Sequence, residues 1–78
     1  MALSTRYLTE NEIDEMAHAA LDSYEMTGDK AAAFRAAREH AADEMGVRAT
    51  QAQCATAFQR AMVGWTARVA RVKARVGA

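Results

Sequence analysis

The stretch TQAQCATAFQRAMVGWTARVARVKARV, Thr50 to Val76, decides the fold. It lacks proline, and Gly64 is its one helix-weakening residue. Placed on a helix, Ala55, Phe58, Met62, Trp65, Val69, Val72 and Val76 recur at intervals of 3, 4, 3, 4, 3 and 4 residues, an unbroken heptad seam. Thr50 supplies a cap, with Gln53 three residues on as its reciprocal partner. The spacing predicts a helix over 51–76, roughly 39 Å long at about 1.5 Å per residue.

Upstream, Gly46 supplies the left-handed residue that closes a preceding helix, and Asp29 caps its start, giving a second helix over 30–45. Its inner face, Phe34, Ala37, Ala41 and Met45, is mostly methyl groups, so helix propensity supports it as much as packing does. A first helix over 10–26 follows from the capping box of Thr9 with Glu12 and the staple of Leu8 on Ile13. Ile13, Met16, Ala17, Ala20, Leu21 and Tyr24 form its apolar face, and Thr27 and Gly28 end it. Residues 1–7 show no period, although Leu3 and Tyr7 are candidates to pack back on the bundle. The third helix should overhang the other two by about 14 Å. That overhang carries Val69, Val72 and Val76, each worth about 1.5 kcal/mol or more when buried.

The expected architecture is therefore all-α, a three-helix bundle with a long C-terminal helix, in one domain over residues 1–78. Composition agrees. The 78 residues include 20 alanines and only 11 Leu, Ile, Val and Phe together, which makes a thin core. Chains of this size seldom gain more than ~3–5 kcal/mol from one core, so a staple is expected. Cys54 alone cannot form an internal disulfide, and with only His18 and His40 beside it there is no zinc-ligand spacing. The staple should be a partner chain, most simply a homodimer through the overhanging seam. No apolar run approaches the ~18 residues of a membrane span, and Met1–Glu10 lacks the apolar centre of a signal peptide, so a cytoplasmic location is expected.

The zero net charge hides a split. Residues 1–45 hold all ten acids and four bases, 4 − 10 = −6, whereas residues 46–78 hold six bases and no acid, +6. On the third helix Arg60, Arg68, Arg71 and Arg75 fall within a sector of about 80°, on the other side from Phe58, Trp65 and Val72. One reading pairs this row with Glu10, Asp14, Glu15, Asp22 and Glu25 of the first helix, within one molecule or between two, each exposed pair contributing ~0–1 kcal/mol. The other makes it a docking surface for phosphate or an acidic protein, since the planar guanidinium suits paired oxygen contacts.

Ala42, Gly46 and Val47, with helices on either side, form a pattern that resembles the turn of helix-turn-helix DNA-binding proteins over Glu39 to Phe58. The resemblance implies a second helix entering the major groove by its first turns, where this chain offers Arg48, Thr50, Gln51 and Gln53. Ala52 and Ala55 depart from the pattern, standing where that family has larger branched residues.

Chemical sites are less well supported. Glu15 and His18 have the spacing of di-iron carboxylate bundles, and Asp14, His18 and Asp22 stack at successive turns, but His18 lies on the polar face. His40 with Glu44 is expected to point outward. Cys54 falls on the apolar side of its helix as a small core residue with no base placed to activate it. Met16, Met26, Met45 and Met62 are expected to fill gaps.

No catalytic signature and no cofactor site emerge. The expected function is that of a small non-enzymatic interaction protein, docking on a protein or nucleoprotein rather than free DNA through Arg60, Arg68, Arg71, Arg75, Val69, Val72 and Val76. In size and charge split it is analogous to the small inhibitors that phages and mobile elements encode, anti-CRISPR proteins included. The alternative is a helix-turn-helix regulator.

Overall fold

The computed structural model describes residues 3–76, with the side chain of Val76 outside the described residues. Helix α1 spans Glu10–Thr27 and α2 spans Lys30–His40, running on into a π turn over Ala41–Met45; α3 spans Gln51–Val76. This is the all-α, three-helix arrangement with a long C-terminal helix that the sequence implies. Local chemistry sets the ends. Thr9 and Glu12 form the reciprocal capping box of α1, and Gly28 closes it at φ 67°. The Asp29 carboxylate accepts from the Ala31 N–H at the start of α2. Gly46, at φ 65°, ends the π turn, with its own N–H and that of Val47 both donating to the Ala41 carbonyl. Thr50 and Gln53 cap α3 reciprocally, at 2.9 and 3.1 Å.

Contacts between helices fix their directions. Arg60 meets Glu10 and Asp14 while Arg68 meets Glu25, so α1 and α3 run parallel. The Lys30 ammonium lies 5.6 Å from the Phe58 ring centroid, and Arg38 Nη2 donates to Gln51 Oε1 at 3.2 Å, so α2 runs antiparallel to α3. The core between them is built mostly of small residues around Ile13 and Met16: Ala17 and Ala20 from α1, Ala33 and Ala37 from α2, Ala41, and Cys54, Ala57 and Ala61 from α3. Among buried residues, Met16, Val47 and Cys54 are the largest side chains fully enclosed. Methyl faces let the backbones approach closely, which is how an alanine-rich chain excludes water without bulk.

The inner face of α3 differs from the expected seam. Its buried line is Cys54, Ala57 and Ala61, and the heptad residues lie along a neighbouring flank, of which Ala55 and Phe58 meet α2. There Phe58 packs on Tyr24 and Phe34, at centroid distances of 5.6 and 5.4 Å. Trp65 makes an edge contact with Tyr24 at 6.4 Å and stays 36% exposed, so it is not the centre of the core.

Residues 3–9, which carry no periodicity, are held by long-range backbone bonds. The Ser4 N–H donates to the Gly46 carbonyl at 3.1 Å and the Arg48 N–H to the Ser4 carbonyl at 2.8 Å, an isolated parallel bridge beside Val47. Gln53 Nε2 donates to the Arg6 carbonyl at 2.8 Å. Leu8 packs against the core, but Leu3 is 38% and Tyr7 97% exposed, so Tyr7 does not pack back on the bundle. A second anchor is ionic: Arg6 Nη1 and Nη2 meet the two Glu12 oxygens at 2.9 and 2.6 Å.

Glu12 is consequently a pH-dependent clamp. The Arg6 guanidinium first, and the Thr9 N–H second, hold its carboxyl at about 2, down from 4.5. A depressed carboxylate stabilises the fold above its unfolded value and loses that contribution as pH falls. The window runs from about 4.5 down to about 2. Glu12→Gln should lower the melting temperature at pH 7 and flatten its decline toward pH 2.5. Thermal melts at the two pH values check this, and equal acid sensitivity of the two proteins would contradict it.

Candidate interaction surface

The arginine row divides into two halves. Arg60 Nη2 meets Glu10 Oε2 at 2.7 Å and its Nη1 meets Asp14 Oδ1 at 2.9 Å, with a further bond to the Glu10 carbonyl. Arg68 Nη1 meets Glu25 Oε1 at 3.0 Å. These two belong to the edge where α3 packs on α1, beside Ala61 and Gly64. The row therefore does not stand away from the packed surface, and its first half is used to pair α3 with the acidic helix. Intramolecular pairing, one of the two sequence readings, holds for Arg60 and Arg68. Arg71 and Arg75, with Lys73 between them, are exposed and form no ion pair among the described residues.

The physical reason is length. Arg68 reaches Glu25 near the C-terminal end of α1, and the eight residues from there to Val76 extend about 12 Å further. On this extension Val69 is half-buried and Val72 is 53% exposed; the side chain of Val76, the third of the expected set, lies outside the described residues. Val63 is 72% exposed. An apolar strip with Arg71, Lys73 and Arg75 alongside thus projects beyond the point where α1 stops.

The helix-turn-helix residues have other engagements. Thr50 and Gln53 cap α3, and Gln53 also holds the Arg6 carbonyl. Gln51 accepts from Arg38. Arg48 is exposed, its backbone N–H bound to Ser4. The Gln53 amide is thus held at both ends, its Nε2 by the Arg6 carbonyl and its Oε1 by the Thr50 N–H.

No spacing in the sequence indicates a groove of about 730 Å³ between α2 and α3, lined by Lys30, Phe34, Arg35, Arg38, Gln51 and Ala55 among others. Its cations come from α2 and its polar and methyl groups mostly from α3, so only the folded pair assembles it.

The remaining candidates do not converge. His18 is exposed beside Asp14 and Arg60. His40 does not point outward toward Glu44: its Nε2 is buried, 4.0 Å from Glu15 Oε2, with no hydrogen-bond partner among the described residues. Cys54 is fully buried, and burial pushes its thiol up against the opposing influence of the nearby Arg38 guanidinium. Met26 is largely exposed and fills no gap. Among the described residues no three His, Cys, Asp or Glu gather as a metal site, and no helix is long and apolar enough to cross a membrane.

In comparison with known proteins, no family model, no curated protein and no solved structure matches this chain. What can be assigned is a class: an all-α three-helix bundle with a projecting basic C-terminal helix.

Proposed function

We propose that the chain is a non-enzymatic docking protein that uses the free end of α3 to hold an acidic protein or nucleoprotein surface. One observation carries this reading. The last two turns of α3 combine the half-buried Val69 and the 53% exposed Val72 with Arg71, Lys73 and Arg75, for which the fold supplies no counter-charge among the described residues. Exposed valines contribute nothing to the fold, and a cation without a partner acid contributes as little, so the stabilisation available from both is realised on binding. By analogy of size and charge the chain stands with the small inhibitors that phages and mobile elements encode, anti-CRISPR proteins among them.

The test is affinity capture of the tagged chain from its source organism, with and without nuclease, beside an R71E/K73E/R75E variant. Recovery of one protein complex, nuclease-resistant and reduced about tenfold or more in the variant, is the expected result. The variant should melt within a few degrees of the parent, since no described contact is lost. Undiminished recovery by the variant would overturn the proposal, and recovery of DNA alone would promote the helix-turn-helix alternative.

A second copy of the chain is the rival occupant, favoured by the exposure of Val72 and Trp65 on the same seam. Light scattering at micromolar concentration separates the two. A dimer dispersed by V69D/V72D assigns the strip to self-association, and a monomer leaves it for another macromolecule.

A further inference from the structure

We infer that the docking surface continues from the free end of α3 into the α2–α3 groove, where Lys30, Arg35 and Arg38 receive the carboxylates of an acidic amphipathic segment of the partner protein. This rests on the docking reading above and names the chemistry of what docks. The groove holds about 730 Å³, and none of its lining residues is acidic. Lys30, Arg35 and Arg38 form no ion pair among the described residues. The acids that form ion pairs elsewhere among the described residues, Glu10, Glu12, Asp14, Glu15 and Glu25, all belong to α1. Helix α1 packs on the α2–α3 pair through the buried face that holds Ala33, Ala37, Ala57 and Ala61, none of which lines the groove. The three cations of the groove are therefore left without a carboxylate in contact among the described residues.

Beneath the cations lies aromatic surface. Lys30 Nζ is 5.7 Å from the Phe34 centroid and 5.6 Å from that of Phe58. Beyond Phe58 helix α2 has not yet begun, so Met62, Trp65 and Val69, following at helical spacing, have no α2 beside them. The line from Gln51 to Val72 covers roughly 30 Å of α3, the length of a helix of about 20 residues. It is cationic along the groove, apolar in its middle and cationic again at Lys73, which alone of the last three cations shares this face of α3; Arg71 and Arg75 lie round the helix from it. A nucleic-acid backbone is anionic throughout and would lay phosphate over the apolar middle. A segment with carboxylates at its ends and apolar residues between them satisfies all three parts, which is the helix-in-groove mode of recognition.

The experiment places a photo-crosslinking benzoylphenylalanine at Ala55 in the groove, at Val72 on the free end, or at Asn11 on the far face of α1, each in the full chain within its source organism. Crosslinks from Ala55 and Val72 should enter one partner protein through a stretch rich in Asp or Glu with interspersed apolar residues, and Asn11 should give none. R35E/R38E should reduce the yield from both positions about tenfold or more, and R35E, which breaks no described contact, should reduce it in the same direction while the melting temperature holds. Crosslinks from Val72 without any from Ala55, or yields unmoved by R35E/R38E, would overturn the groove and leave the free-end reading standing. Failure at both positions would overturn both. Crosslinks from Ala55 into nucleic acid, or into a segment without acids, would likewise reject the inference.

Discussion

Met16→Ala should leave a substantial part of the population unfolded at 25 °C. Met16 is fully buried on α1, and among the residues enclosed by the three helices it is the largest. Its neighbours in the core are mostly alanines, and an alanine cannot rotate or lengthen to refill a void. Truncating buried methionine or leucine costs ~2–5 kcal/mol, toward the upper end where surroundings cannot collapse. A core of this size supplies only ~3–5 kcal/mol in total. Trp65→Ala, by contrast, should cost about 1–2 kcal/mol, because the indole is 36% exposed and makes one edge contact with Tyr24. Urea titrations followed by circular dichroism give the comparison. A greater loss for Trp65→Ala than for Met16→Ala would place the centre of the core on the wrong face of α3.

The second large effect comes from adding bulk. Ala37 is fully buried midway along α2, with Ala33 and Ala41 above and below it on the same face. Ala37→Leu would insert three carbons where the helices meet through methyl groups, forcing them apart or driving side chains off their rotamers at ~1–3 kcal/mol. Ala67→Leu serves as the control. That site is exposed on α3, and such surface changes stay within about 0.5 kcal/mol. Equal midpoints for the two variants would mean that the α2 interface has slack the close-packed arrangement does not allow.

What was legible in the sequence was local. Thr9 with Glu12 and Thr50 with Gln53 announce helix starts because the capping partners lie three residues apart, and Gly28 and Gly46 mark the ends because a left-handed residue is needed there. The face of α3 was harder to read. Bulky residues dominate a hydrophobic period, so Phe58, Trp65 and Val72 drew the seam, while Cys54, Ala57 and Ala61 pack inward because they are small. The tie between Ser4 and Val47 leaves no trace in side-chain pattern, being made of backbone groups more than forty residues apart. The division of the arginine row depended on where α1 ends relative to α3. The groove cations Lys30, Arg35 and Arg38 are not legible in the sequence because spacing on α2 alone does not reveal a missing acid across the groove.

Amide hydrogen exchange over residues 69–76, in the free chain and in complex with its captured partner, tests the central claim most directly. In the free chain these amides should exchange far faster than those of residues 54–61, since helix without tertiary cover opens readily. In the complex they should slow by about tenfold or more. Protection in the free monomer equal to that of residues 54–61, or no change on complex formation, would contradict a helix end held open for a partner.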